Sequence, residues 1–342
     1  MAVKVPETLA ALLGVEPAEL EVRADDPSGA DLVVAAAGQT FVVEINKSTG
    51  AAPIAAASKK VLGLAKRLRR RVIPLLAVPF MGEVGRRLCG EAGVAWMDLS
   101  GNAHILAPGI RVIIDGRPNR FRSAGRPQNT FAPKSARVVR WLLIHPAEPL
   151  TQRQIARATD MTEGYVSRIV TRLEHEGYLV REDGGAIRPK DPALLLDAWH
   201  EVYQFSKHTL HQGHVASRSG DTLLRFVTDT LAENKIEHAA TGLAAAWALT
   251  RFAAFRIATV YLPTDPSPEL LERLGCREDP RGANLWLVVP NDEGVFQGAI
   301  EKDGIRCAHP VQVYIDLKEH PERAPEAAER LRTELLTWRR DG

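Results

Sequence analysis

The chain has 342 residues, 45% of them apolar and 25% charged, with a formal net charge of +2. That length suggests two or three domains with ordinary cores, and no apolar run is long enough for a membrane span. The opening residues lack a secretory apolar stretch, and the three cysteines, Cys89, Cys276 and Cys307, are odd in number and far apart. A reduced, cytoplasmic setting is therefore expected rather than a disulfide framework or a zinc knuckle.

The near-neutral total hides an asymmetry. Residues 1–50 carry 3 basic and 8 acidic groups, and residues 51–150 carry 17 and 5. Residues 151–200 carry 7 and 8, and residues 201–342 carry 17 and 21. The basic block includes Lys59, Lys60, Lys66, Arg67, Arg69, Arg70 and Arg71, then Arg111, Arg117, Arg120, Arg122, Arg126, Lys134, Arg137 and Arg140. Phosphates are the obvious partner for such a block. For residues 66–71 alone, a solvated basic helix face is the alternative.

Residues 1–115 alternate strand and helix. Residues 32–34 and 40–44 predict paired strands about Gly38-Gln39, and residues 51–70 a helix. Residues 72–78 predict a buried strand, 81–90 a helix and 94–98 a strand, with 103–106 and 110–114 closing the unit. With Asp31 opening one strand and Glu44 ending the next, this order resembles the restriction-endonuclease-like, PD-(D/E)xK, fold. The resemblance implies two carboxylates that hold Mg²⁺ and a lysine that steadies the attacking water. Asp31 and Glu44 match the carboxylates. The lysine position, two after the glutamate, is Asn46, and Lys47 comes one residue late. One residue along a strand is the opposite face, unless the strand ends or bulges there. Glu16, Glu19 and Glu21 are further acidic candidates from the first helix. The expectation is a catalytically silent domain. A nuclease using Asp31, Glu44 and Lys47 is one alternative, and an unrelated α/β domain another. Residues 93–102, Gly-Val-Ala-Trp-Met-Asp-Leu-Ser-Gly-Asn, look like a phrase found in bacterial regulators with such a front end. Asp98 and Asn102 within it suit a turn in which they bond their own backbone.

Residues 115–133, rich in Gly, Pro, Arg and Asn, predict a basic linker. Next, apolar residues Ala136, Val139, Leu142 and Leu143 mark a helix, broken at residues 145–149. Thr151 and Gln154 form a capping box that opens a short helix through Thr159. Thr162 caps a second helix through His175. Its apolar face is Val166, Ile169, Val170 and Leu173, and its polar face Thr162, Tyr165, Ser167, Arg168, Thr171 and Arg172. Residues 178–181 and 186–188 flank Asp183-Gly184-Gly185 as a two-stranded wing carrying Arg181 and Arg188. This is a winged helix-turn-helix, whose second helix fits the B-DNA major groove. The alternative is a winged helix used for protein contact. The order Leu150-Thr151-x-x-x-Ile155-Ala156, then Val166-Ser167-Arg168-Ile169-Val170-x-x-Leu173-x-x-x-Gly177-Tyr178-Leu179, resembles bacterial regulators of the MarR-like type.

Beyond residue 191, helices are predicted over 193–208 and 222–234. A strand, a glycine turn and a helix follow over 238–250. Strands are predicted at 256–262, 284–289 and 312–317, and a closing helix over 322–340. His208, His211 and His214 are expected in a polar linker rather than at a metal. Asp265 and Asp316 each stand alone, so the paired carboxylates of a nucleotidyltransferase are missing. The Thr241-Gly242-Leu-Ala-Ala-Ala-Trp247 segment, the later strands and Val313-Tyr-Ile-Asp-Leu317 resemble the C-terminal region of AbiEi-type antitoxins. With the winged helix, that resemblance spans roughly residues 134–340. It implies repression of the protein's own operon and a nucleotidyltransferase-like toxin as partner. The nuclease-like front end departs from the shortest members of that family.

The expected fold is thus α/β multidomain. A restriction-endonuclease-like domain spans 1–118, a basic linker 119–133, the winged helix 134–190 and an AbiEi-like domain 191–342. The expected function is sequence-specific DNA binding by a transcriptional regulator, with a targeted metal-dependent endonuclease as the rival. The expected contacts are Thr162, Tyr165, Ser167, Arg168, Thr171, Arg172, Arg181 and Arg188, with Arg117, Arg120, Arg122 and Arg126 along the backbone. Double-stranded DNA and a second copy of the chain are the expected partners, because a two-fold dimer reads a palindrome. No cofactor, metal or membrane contact is expected.

Overall fold

Three largely buried central strands, residues 39–45, 73–78 and 95–98, organise the first part of the chain. A computed structural model describes residues 1–24, 29–68, 71–121 and 130–338, and the chain divides into two compact units, residues 1–127 and 128–342. In the first unit the elements are α1 (Lys4–Leu13), β1 (Glu21–Ala24), β2 (Leu32–Ala36), β3 (Gln39–Ile45), α2 (Ala51–Arg67), β4 (Ile73–Val78), α3 (Glu83–Ala92), β5 (Ala95–Asp98), β6 (Ala103–Ala107) and β7 (Ile110–Ile114). They form a seven-stranded sheet in simple chain order. β1, β2 and β3 are antiparallel, β3, β4 and β5 parallel, and β5, β6 and β7 antiparallel. Helices α2 and α3 are the crossovers that parallel pairing demands. Their strands are near-continuous apolar runs, because each face is covered. Val5 and Leu9 of α1 pack with Leu32, Val34, Phe41, Val43, Leu75 and Met97. Ile54, Val61 and Leu64 of α2 pack with Val42, Leu76, Val78 and Trp96. Glu16 and Glu19 belong to no first-helix acidic cluster. They cap a single 3₁₀ turn, and Glu21 starts β1.

The second unit opens with α4 (Pro133–Ile144), α5 (Gln152–Ala158), α6 (Glu163–His175), β8 (Leu179–Arg181) and β9 (Ile187–Pro189). It continues with α7 (Pro192–Val202), β10 (Thr209–His214), α8 (Gly220–Glu233), β11 (Ala239–Thr241), α9 (Gly242–Thr250), β12 (Ala258–Tyr261), α10 (Pro268–Arg273), β13 (Arg277–Glu278), β14 (Leu285–Val289), β15 (Ile300–Lys302), β16 (Ile305–Cys307), α11 (Pro310–Asp316) and α12 (Ala324–Leu335). Its larger sheet has the order β13-β10-β14-β12-β11-β16-β15, and β8 pairs with β9 separately. No helix among the described residues is long and apolar enough to cross a membrane.

Three expectations fail in this unit. Residues 312–317 are not a strand but part of α11 and the 3₁₀ turn after it. Pro310 starts that helix, and His309 Nδ1 accepts the Val311 N–H at 3.2 Å. All its residues are buried, and a buried helix has the same apolar run as a buried strand. The helix expected over 193–208 stops at Val202. The histidine run is no linker, since Thr209–His214 pairs with β14 from Thr209↔Val289 to Gly213↔Leu285. A side chain at Gly213 would come within 2.4 Å of Cys276 Sγ, so only glycine lets the neighbouring segment approach.

Candidate nucleic-acid interface

The helix-turn-helix is set by two caps. Thr151 N–H donates to Gln154 Oε1 at 2.8 Å while Gln154 N–H donates to Thr151 Oγ1 at 3.3 Å, opening α5. Thr162 Oγ1 accepts the Tyr165 N–H at 3.3 Å, opening α6. Val166, Ile169, Val170 and Leu173 are buried as their spacing predicts. That leaves Thr162, Arg168 and Thr171 exposed, with Tyr165, Ser167 and Arg172 half-buried.

The arginines on this face are not equivalent. Arg172 Nε donates to Glu176 Oε1 at 2.9 Å. Arg181 donates to Glu174 Oε2 at 2.8 Å and to the Gly185 carbonyl at 2.9 Å, and Arg188 donates to Glu182 Oε1 at 2.6 Å. Arg168 instead lies over the Tyr165 ring, 5.3 Å from its centroid, with Lys134 Nζ 5.8 Å from the same ring. The Tyr165 hydroxyl is 3.2 Å from Ser135 Oγ of α4. Tyr165 is therefore a platform that holds two cations rather than a free polar contact. Sequence spacing hides this, because Lys134 and Ser135 lie a helix away. Each wing ion pair is partly exposed and so worth little, leaving those arginines exchangeable onto phosphate.

Other parts of the basic block are committed inward. Arg137 Nε and Nη2 fork onto Asp292 at 2.8 and 2.9 Å, and both Nε and Nη2 of Arg140 donate to Gln312 Oε1 at 2.9 and 2.7 Å. The two arginines, one turn apart on α4, tie the winged helix to the C-terminal part. As phosphate ligands they are a correction to the sequence reading. Behind them lies buried Asp316. It accepts from Tyr203, Thr241, Gln312 at 2.7 Å and Tyr261 at 2.9 Å. Burial pushes its carboxyl up to about 6. The Thr241-Gly242 motif is explained by this network. Thr241 donates to Asp316, and Gly242, at φ +59, lets His320 pack where a Cβ would come within 2.6 Å.

In the first unit Asp31 immediately precedes β2, and Glu44 lies on the neighbouring β3. Asp31 Oδ2 accepts the Ile45 N–H at 2.7 Å. Lys47 is exposed, after the end of β3. Lys60 of α2, which the sequence reading placed in a phosphate-facing block, donates to Glu44 Oε1 at 2.6 Å. Burial pushes the Glu44 carboxyl up, the Lys60 hydrogen bond opposes that, and the nearby Asp31 charge adds to it. The Lys60 ammonium thus takes one oxygen of Glu44 and the Ile45 N–H one oxygen of Asp31, while Glu44 Oε2 is buried without a hydrogen-bond partner among the described residues.

Asp98 and Asn102 reach beyond a self-bonded turn. Asp98 Oδ1 accepts the Asn102 N–H at 2.9 Å, and its Oδ2 accepts from Met81 N–H at 3.1 Å. Asn102 then takes the Arg117 N–H at 2.7 Å, and Ser100 Oγ takes that of Arg120 at 3.2 Å. Arg117 and Arg120 are exposed but backbone-pinned to this unit. Arg122, Arg126, Arg69 and Arg70 lie outside the described residues.

Residues 130–186 match the model of the MarR family, and residues 189–337 match that of a transcriptional regulator, the AbiEi antitoxin of type IV toxin–antitoxin systems. HTH-type transcriptional regulators of Bacillus cereus, Bacillus thuringiensis subsp. konkukian and Bacillus anthracis are each 49% identical over 41 residues. That stretch is 12% of this chain, and it spans 28% of the length of those relatives. No solved structure matches the chain. The second unit thus carries a MarR-family winged helix followed by an AbiEi-type antitoxin domain.

Proposed function

We propose that this chain, joining a MarR-family winged helix to an AbiEi-type domain, is a sequence-specific DNA-binding regulator that represses its own operon. The observation that carries this is the α6 face, where Arg168 rides on the Tyr165 ring and pairs with no carboxylate among the described residues. A major-groove helix presents such a guanidinium to guanine O6 and N7. The chain acts as a homodimer on a palindrome, since one half-site of a few base pairs specifies too little. Its further partner is a nucleotidyltransferase-like toxin encoded beside it. The first unit is a nuclease-like domain that is catalytically silent, with Lys60 neutralising Glu44.

Arg168→Ala weakens binding to the DNA upstream of its own gene by about 1–3 kcal/mol, whereas Arg172→Ala, whose guanidinium is shared with Glu176, costs less. Fluorescence anisotropy on operator and scrambled duplexes checks both, and an unchanged Arg168→Ala midpoint removes α6 from the interface. Incubated with linear and supercoiled operator DNA in Mn²⁺, the protein binds without cutting. Cleavage by the native chain that Glu44→Ala and Lys60→Ala both abolish would instead make it a targeted nuclease.

A further inference from the structure

The sheet of the first unit ends in two strands, β1 and β7, that pair on one side only among the described residues. Such an edge offers unpaired N–H and C=O groups to any other strand. β1 is short and exposed throughout, and its Glu21 and Arg23 suit a solvated edge. β7 differs. It reads Ile110-Arg-Val-Ile-Ile114, with Arg111 as its one charged residue. Helices also leave one of its faces uncovered. Ile54 and Val61 of α2 and Cys89 of α3 pack with Val42, Leu76 and Trp96 of β3, β4 and β5. His104 of β6 stands opposite Trp96, so His104, Leu106, Arg111 and Ile113 share that face. There Leu106 is 52% and Ile113 46% exposed. They are diagonal neighbours across β6 and β7, and form one apolar patch beside the open edge.

The direction of the free backbone groups follows from the turn. Pro108-Gly109 joins β6 to β7, with Gly109 at φ +78. The pair that closes a two-residue hairpin, here Ala107 and Ile110, exchanges both backbone bonds, and bonding alternates from there. Val112 and Ile114 therefore bond β6, while Arg111 and Ile113 turn their N–H and C=O outward. An antiparallel copy of β7, related by a two-fold axis at Ile113, meets those groups with its own. In that register Ile113 meets Ile113 of the second copy, Val112 meets Ile114, and Arg111 meets Asp115. The charges fit. Arg111 is exposed and pairs with no carboxylate among the described residues. Asp115 is 58% exposed, and only its Oδ1 is engaged, by Arg86 Nη1 at 2.9 Å.

We propose that two copies of this chain associate through β7, antiparallel and centred on Ile113, so that one sheet runs through both. The symmetry supplies the Arg111–Asp115 pair twice, and Leu106 and Ile113 gain apolar cover beside the new strand. An isologous pairing of this kind closes on itself, whereas β7 on β1 would propagate as an open filament. The pairing names the surface of the homodimer in the regulator reading. It rests on that reading for the dimer's role at a palindrome, not for the contact.

Full chains carrying Ile113→Cys, Arg111→Cys or Val22→Cys are oxidised without DNA and run on non-reducing gels. The native chain controls for Cys89, Cys276 and Cys307. Opposed residues of a hydrogen-bonded pair have Cα atoms about 5.5 Å apart, within reach of a disulfide. Ile113→Cys is expected to cross-link about tenfold faster than Arg111→Cys, whose two copies stand at opposite ends of the pairing. In sedimentation, Arg111→Asp and Asp115→Arg each weaken self-association by about tenfold, since like charges then face each other. Mixing these two variants restores pairs, because every arginine again meets an aspartate. Ile113→Cys no faster than Arg111→Cys, cross-linking through Val22→Cys instead, or a mixture no heavier than its components overturns the proposal. Binding of the native chain to operator and scrambled duplexes is measured separately. Equal affinity for the two strikes the regulator reading and leaves the cross-linking result standing.

Discussion

The second unit loses stability steeply between pH 6.5 and pH 4. His208, His309 and His320 are each lowered from 6.5 to about 4, with burial the leading cause. Above pH 6.5 these rings are neutral in both the folded and the unfolded chain, so their contribution is fully present. As the pH falls through 6.5 the unfolded chain takes up protons that the folded chain refuses until about pH 4, and stability falls with it. Asp316 works the other way. Its carboxyl is raised from 3.8 to about 6, so the folded chain holds a proton over that window and gains on acidification. Three histidines against one carboxylate leave a net loss of roughly 5–10 kcal/mol across the window. Urea denaturation at steps from pH 7.5 to 4.5 reads it. His208→Gln, whose amide oxygen can still accept the Asn291 N–H, flattens the profile. A midpoint that does not move between pH 7 and pH 5 contradicts the burial of these rings as titrating groups.

Removing one partner of the Arg137–Asp292 fork has the next largest effect. The two side chains are 12% and 9% exposed, and they join α4 to the loop after β14. Asp292→Ala strands the guanidinium beside Glu293, which is 72% exposed and 3.2 Å away, a poor substitute. The expected cost is about 3–5 kcal/mol, the usual penalty for breaking a buried pair from one side. Replacing both residues together, Arg137→Met with Asp292→Leu, recovers much of it, because no charge is then left buried. Chemical denaturation of the three variants checks the cycle. A single Asp292→Ala within about 0.5 kcal/mol of the native chain, the range of ordinary surface changes, would show that the fork does not anchor the winged helix.

How much of this was legible beforehand depends on range. The capping box at Thr151 and Gln154, the cap at Thr162 and the buried stripe of α6 were readable, because each involves partners within a few residues and one helical period. The strands around Asp31 and Glu44 were readable for the same reason. Residues 312–317 misled because a helix buried on all sides carries no polar face to reveal its period. The histidines of β10 misled because that strand lacks apolar alternation, and its identity comes from pairing with β14.

The candidate sites divide in the same way. Sequence by itself determined the winged helix, its polar face and the two carboxylates at adjacent strands, since periodicity, capping and strand alternation are local properties of the chain. Only the tertiary structure decided which charges remain available. Lys60 reaches Glu44 across a crossover, Arg137 and Arg140 turn inward to residues more than a hundred positions away, and Arg168 is left on its aromatic platform. The physical reason is that a charge takes whichever partner the fold brings within a few ångströms, and spacing along the chain carries no record of that distance.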